Sequence, residues 1–350
     1  MIPKYKKVCA YFEDYIKSNH LQFNDKLPTE KKIAEDLNVS RVTIQRALRE
    51  LQEQKTIYRI QGSGSYVGTQ EHPERRESRV IPMVLSRDSS ISRFFEIIQG
   101  AEKFMQENSH FLNVHLTNDD ENEEQHIINW LINRGFKDII ISPVRSDRNV
   151  DFFFKLMSHD IRLTFIDILP NGLSGNLVTS NNVMGGYLAA RHLIDRGYKK
   201  IALFSSKTTT ETTIAERICG FQLALKEADV AANPSWQVFF DIGDHVNDRL
   251  AKLMESDSPP DAIFAINDVT ATHICAGLIH LGYKVPEDVA IMGYDNLQQI
   301  VSEVPLSTIN QDFYQIGYQA AKLCLEQINN NSGNLVKWSL PVSLVVRSST

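Results

Sequence analysis

Arg41, Thr43, Gln45, Arg46 and Arg49 are crowded into one short stretch, and their side chains offer guanidinium, hydroxyl and amide groups together. Such a set can donate to phosphate oxygens and read the edges of base pairs, provided one helix face presents all of it to the major groove. The intervening residues meet that condition: Val42 or Ile44, with Ala47, Leu48 and Leu51, mark an inner apolar face at helical spacing. Ser40 stands as N-cap of this helix. The break Asn38-Val39-Ser40 separates it from a shorter helix capped by Thr29, with Ile33, Ala34 and Leu37 inward. Two short helices about a three-residue turn make a helix-turn-helix. Upstream, Tyr5, Val8, Phe12, Tyr15 and Ile16 mark a further amphipathic helix, and residues 56–67 read as two short strands around Gly62-Ser63-Gly64, a wing.

A second set of polar residues lies at the ends of predicted strands: Ser86 to Arg93, Asn118, Pro143, Asp167, Asn267 and Asp295. Short apolar runs are expected as strands at 80–85, 111–116, 138–142, 163–167, 200–204, 237–240, 262–265 and 289–294, with amphipathic helices between them. This alternation predicts parallel sheets covered on both faces. About 270 residues exceed one comfortable sheet, so two lobes with a cleft are expected, the polar strand ends facing it.

The chain has 350 residues, 42% hydrophobic and 23% charged, which excludes disorder and fibre. Residues 1–70 carry 12 Lys and Arg against 8 Asp and Glu, while the remainder carries 25 against 35, so a basic head precedes an acidic body. That asymmetry directs a polyanion to one end. No window is long and apolar enough for a membrane span, and MIPKYKKVCAYFEDY lacks the apolar core of an export signal, so a cytoplasmic location without membrane contact is expected. Cys9, Cys219, Cys275 and Cys324 are scattered, and the histidines lack metal-ligand spacing, so no metal and no cofactor is expected. GxSxG, Walker, HExxH and strand-opening GxGxxG motifs are absent, which argues against an enzyme.

The run LPTEKKIAEDLNVSRVTIQRALRELQEQKTIYRIQGSGSYV resembles the winged helix of the GntR family. The resemblance implies DNA contacts from Glu30, Arg41, Thr43, Gln45 and Arg46 and from Gln61 and Gly62 of the wing; Lys4 and Ser40 join them as candidates. Farther on, NNVMGGYLAARHLIDRGYKKIALF, AERICGFQLALKEA, PDAIFAINDVTATHICAGLIHLGYKVPEDVAIMGYDN and LSTINQDFYQIGYQAAKLCLEQI resemble signatures of the LacI family's effector domain. That likeness implies the fold of periplasmic sugar-binding proteins, with ligand contacts at Arg217, Asn267, Asp295 and Gln311. Ser92, Arg93 and Phe94, where the first strand passes into its helix, are further candidates. Asn181-Asn182 departs from the family, which often has an acid there.

The expected fold is α/β: an N-terminal winged helix-turn-helix (1–68), a charged linker (69–79), and a two-lobed periplasmic-binding-protein-like (type I) body (80–350). The body consists of doubly wound parallel sheets, with chain crossovers near 180, 309 and 333. A head of one family on a body of the other is similar to sugar repressors of Gram-positive bacteria. It implies double-stranded operator DNA and a small sugar effector, L-arabinose or a related monosaccharide, as partners of a homodimer. The alternative is a free-standing sugar-binding protein without regulatory role.

Overall fold

The computed structural model describes residues 3–21, 25–54, 56–60, 64–68, 79–86, 91–206, 212–240, 246–330 and 335–350. The chain divides into two compact units, Met1–Val80 and Ile81–Thr350. The linker expected over 69–79 lies almost wholly outside the described residues.

In the head, α1 (Lys4–Ser18) buries Val8, Phe12 and Ile16, which recur every fourth residue, with Cys9 beside them. α2 (Glu30–Leu37) opens on Thr29, whose hydroxyl accepts from Lys32 N–H, and closes on Asn38 in the left-handed conformation at φ 47°. Asparagine tolerates that conformation better than a branched residue, so the helix stops there and the turn begins. α3 (Arg41–Glu53) opens on Ser40, which accepts from Thr43 N–H, and buries Ile44, Ala47, Leu48 and Leu51. Of the two alternatives for the inner face, Ile44 is buried and Val42 is 76% exposed. β1 (Ile57–Ile60) and β2 (Gly64–Val67) pair antiparallel, Ile57 opposite Val67. The preceding loop adds to this ribbon, with Leu27 N–H donating to Ser65 O and Val67 N–H to Asp25 O. Val8, Phe12, Ile33, Ile44, Leu48, Leu51, Ile57 and Val67 form one apolar core.

The body runs β3 (Val80–Leu85), α4 (Ile91–Glu107), β4 (Phe111–Leu116), α5 (Glu121–Ile132), β5 (Asp138–Ser142), α6 (Val150–Met157), β6 (Arg162–Ile166) and β7 (Asn176–Ser180). It continues with α7 (Asn182–Asp195), β8 (Ile201–Ser206), α8 (Thr212–Glu227), β9 (Gln237–Phe240), α9 (Val246–Met254), β10 (Ala262–Ala265), α10 (Asp268–His280) and β11 (Ala290–Met292). The last elements are β12 (Thr308–Asn310), α11 (Phe313–Asn330), β13 (Lys337–Leu340) and β14 (Ser343–Val345). The first sheet has the order β13-β7-β6-β5-β3-β4 and the second β11-β10-β8-β9, while β12 pairs antiparallel with β14.

Strand residues alternate between two cores, as the two-residue period requires. Ile140 and Ile166 meet α4 and α11, while Ile139, Ile141 and Phe165 meet α5 and α6. In the second sheet Ala202, Phe204 and Ile263 face α9 and α10, whereas Leu203, Phe264 and Met292 face α7 and α8. Both sheets are therefore covered on both faces, which is why inner strands such as β5 and β10 read as continuous apolar runs.

The chain passes between the lobes three times. The first passage follows Ser180, and the second joins β12 to α11, whose residues sit in the core of the first lobe. The third lies between Leu340 and Ser343, later than the expected position near 333, because β13 adds to the first sheet beside β7 in register Lys337 to Leu177. Two helix pairs cross at backbone contact. A methyl group built on Gly186 would stand 1.9 Å from Arg217 O, and one on Gly220 1.9 Å from Val183 O, so α7 and α8 touch with nothing between them. Gly100 and Gly317 hold α4 against α11 in the same way.

Candidate nucleic-acid interface and effector cleft

Arg41 is the first residue of α3 and its side chain is 80% exposed. Its Nε lies 3.6 Å from Glu30 Oε2, and the other oxygen of Glu30 pairs with Arg59 of β1. One carboxylate at the start of α2 therefore gathers two guanidinium groups, one from α3 and one from β1. Arg59 was not among the residues expected from the sequence; its partner is 29 positions away, so only the folded wing brings it in. Beside this group lies an open hollow of about 530 Å³ lined by Thr29, Glu30, Lys31, Ala34 and Arg41.

Ser40 Oγ and Thr43 Oγ1 are 2.8 Å apart, so both hydroxyls belong first to the capping turn. Gln45 and Arg46 are exposed on the same helix, and Arg46 stacks its guanidinium 4.3 Å from the Tyr5 ring centroid. Lys4 is exposed at the start of α1. Gln61 and Gly62 lie outside the described residues.

In the body, Arg217 on α8 is 6% exposed. Its Nε donates to Asn182 Oδ1 at 2.9 Å, its Nη1 donates to Ile266 O at 2.9 Å and lies 3.4 Å from Asp295 Oδ1, and its Cζ stands 3.8 Å over the Tyr294 ring. A guanidinium stays charged at all working pH, so its burial requires such a set of acceptors. Asp295 follows β11 at φ 110°, in a region that non-glycine residues rarely occupy. Its backbone N–H donates to Ile309 O, and its Oδ1 accepts from Gln311 Nε2 at 2.6 Å. Burial raises the Asp295 pKa; Arg217, Arg93 and the Gln311 bond oppose the rise, and Asp167 adds to it.

Asp295 belongs to the second lobe, whereas Asp167 follows β6 and Arg93 lies on α4 of the first. Asp167 and Asp295 stand just past the carboxyl ends of β6 and β11, near enough that the charge of one carboxylate disfavours that of the other. Around Asp295 gather the guanidinium groups of Arg217 and Arg93 and the carboxylates of Asp167 and Asp268. Gln311 is 2% exposed, and among the described residues its Oε1 has no hydrogen-bond partner. A buried acceptor left open costs about 1–3 kcal/mol unless something donates to it. A hydroxyl-bearing ligand would do so.

The remaining candidates divide. Asn267 caps α10, its Oδ1 accepting from Thr270 N–H at 2.8 Å, so the capping turn claims one of its acceptor positions. Phe94 is 5% exposed in the core of the first lobe, with the Arg93 guanidinium 4.6 Å over its ring; it supports Arg93 rather than offering a free face. Ser92 falls in the first turn of α4, and its side chain lies outside the described residues.

Three residues at the site were not named as contacts from the sequence: Asn182, Tyr294 and Asp268. Asn182 and Tyr294 were legible only as parts of motifs, since their partners come from other elements. Asp268 is 4% exposed, and its carboxylate accepts from Leu297 N–H at 2.9 Å and Thr308 Oγ1 at 2.7 Å. Burial, with Asp295 nearby, pushes its pKa up to about 7.

Residues 4–67 match the profile of bacterial regulatory proteins of the gntR family, and residues 190–350 match a periplasmic binding protein-like domain. The chain is 27% identical over 362 residues to the arabinose metabolism transcriptional repressor of Geobacillus stearothermophilus, covering 100% of this chain and 98% of that one. It is 28% identical over 276 residues to the HTH-type transcriptional repressor PurR of Aliivibrio salmonicida, covering 78% and 81%. Among solved structures, the transcriptional regulator CelR–cellobiose complex superposes with TM-score 0.69 at 21% identity, covering 89% of this chain and 92% of that one. A LacI family transcriptional regulator from Enterococcus faecium with bound ribose gives 0.64 at 24%, covering 77% and 98%.

Proposed function

From a GntR-type head joined to a periplasmic-binding-protein-like body, we infer that this chain is a sugar-responsive transcriptional repressor. It binds operator DNA through α3 and the wing, and a small sugar in the cleft releases it. The observation that carries the reading is the buried polar cluster of Arg217, Asp295 and Gln311 between the lobes, with its open acceptor on Gln311. A guanidinium and a carboxylate can each make two hydrogen bonds to vicinal hydroxyls, and an amide both donates and accepts, so a polyol satisfies all three.

The full-length likeness to arabinose repressors supports L-arabinose or a related monosaccharide as effector. The protein acts by binding rather than catalysis, in the cytoplasm. Two heads carried by a homodimer grip two half-sites of a palindromic operator, and closure of the lobes on sugar changes the spacing of the heads. Sugar weakens DNA binding only as far as it prefers the closed state, a coupling of ~1 to 3 kcal/mol.

The test combines two measurements on the full chain. Thermal shift against pentoses, hexoses and sugar phosphates identifies the ligand, because a ligand binding the native state raises the melting temperature. Retardation of a duplex carrying the promoter region of the chain's own gene cluster then has to be reversed by that sugar. A chain that ignores every duplex at low salt as well as high overturns the proposal.

A further inference from the structure

Asn182 is the second residue after β7, where the chain first leaves the first lobe, and it is 1% exposed. Its two amide ends point to different lobes. Its Nδ2 donates backwards to Ser180 O at 3.1 Å and lies 3.5 Å from Thr179 Oγ1, both on the strand just completed. Its Oδ1 accepts from Arg217 Nε at 2.9 Å, and the Tyr294 hydroxyl donates to the same oxygen at 3.4 Å.

The contacts continue in both directions. Thr179 Oγ1 donates to Asp167 Oδ1 at 3.4 Å in the first lobe. Arg217 pairs with Asp295, and Asp295 accepts from Gln311, which sits on the second passage between the lobes. One line of polar contacts thus runs Asp167, Thr179, Asn182, Arg217, Asp295, Gln311. It starts in the first lobe and passes through two of the three interlobe passages. Space has been made for it: a methyl group on Gly185 would stand 2.1 Å from the Tyr294 hydroxyl.

We propose that Asn182 is a positioning residue for effector recognition, tying the orientation of the Arg217 guanidinium to the geometry of the first interlobe passage. The inference rests on the cleft being the sugar site. Its physical content is that the passage cannot turn without moving the oxygen that holds Arg217, so lobe closure and sugar contact are one event. An amide suits this place because it donates to the strand carbonyl and accepts from the guanidinium at once. A carboxylate accepts from Arg217 equally well but repels Ser180 O, while alanine does neither.

The experiment uses the full-length chain, unaltered and as Asn182→Ala and Asn182→Asp. Each is titrated calorimetrically with L-arabinose, D-ribose, D-xylose and D-galactose, and the tightest binder is then used to release a retarded operator duplex. For Asn182→Ala, affinity for that sugar falls at least tenfold while duplex binding without sugar is kept. Asn182→Asp recovers most of the sugar affinity, yet the ratio of the releasing concentration to the sugar Kd rises at least fivefold over the unaltered chain. A purely structural role would lower stability in both variants and leave that ratio unchanged. Sugar binding by Asn182→Ala within twofold of the unaltered chain overturns the proposal alone, as does an unchanged ratio in Asn182→Asp. Failure of the unaltered chain to bind any of the four sugars overturns the assignment of the cleft as well.

Discussion

Substituting Gly220 by alanine probes whether the crossing of α7 and α8 positions the sugar site. The added methyl would meet Val183 O at 1.9 Å and Tyr187 N at 2.7 Å, both backbone atoms that cannot rotate away. An ordinary carbon–oxygen approach is about 3.3 Å, so the helices must separate by roughly 1.4 Å. Overpacking of this kind costs typically 1–3 kcal/mol, and the upper end, about 3 kcal/mol, applies where neither partner can yield. In a domain of this size each kcal/mol lowers the midpoint by roughly 2–4 °C, which gives a fall of about 6–12 °C in a calorimetric scan. Gly282→Ala is the control: it has φ 89° and nothing within 4 Å of the added methyl, so only backbone strain of about 1 kcal/mol is expected. The second readout is sugar affinity. Arg217 stands three residues before Gly220 on α8, and a shift of that size carries its 2.9 Å bond to Asn182 out of hydrogen-bonding range. Affinity should fall at least tenfold for Gly220→Ala and stay within twofold for Gly282→Ala. Equal midpoints for the two variants, or unchanged sugar affinity in Gly220→Ala, would refute the reasoning.

Asp295→Ala leaves the Arg217 guanidinium buried without its counter-ion, so a loss of about 3 kcal/mol is expected in denaturant unfolding, and DNA should be held but not released by sugar in a retardation assay. Normal release would remove Asp295 from the site. Arg41→Ala should abolish operator-specific binding and leave calorimetric sugar affinity unchanged; full-strength recognition would count against α3 as the reading element. Because the Asp268 pKa is raised from 3.8 to about 7 on folding, the folded chain keeps a proton that the unfolded chain has shed between those values. Stability should therefore decline as pH rises from about 4 to 7 and level off above. Melting midpoints across pH 5 to 8 should fall less for Asp268→Asn than for the unaltered chain, and parallel curves would contradict the assignment.

The head was largely legible because each of its features is local. Thr29 and Ser40 cap their helices a few residues away, Asn38 ends α2 by its own backbone, and the inner faces of α1 and α3 repeat within a few turns. Eight strands of the body were legible for a similar reason, since a strand buried on both faces tends to be an apolar run, whereas β12, β13, β14 and the buried β7, which carries Asn176, Thr179 and Ser180, were not expected. β5 (Asp138–Ser142) and β10 (Ala262–Ala265) coincide with the expected runs. What local pattern does not encode is meeting across elements. Arg59 reaches Glu30, Asn182 reaches Arg217 and Tyr294, and Thr308 reaches Asp268 over separations of 29 to 112 residues. Val42 shows the other limit: helical spacing admitted either Val42 or Ile44 as the inward residue, and packing against α1 and α2 selects Ile44.

The first sheet also has a bearing on how the molecule is made. Its edge strand β13 and the helix α11 that seals one of its faces are synthesised last, more than 200 residues after β3. At translation speeds of roughly 5–20 residues per second, the amino-terminal unit has many seconds to fold while the first sheet of the body still awaits its closing pieces. A ribosome that stopped before α11 would thus release a chain whose amino-terminal unit is complete while its first sheet lacks both the helix over one face and an edge strand.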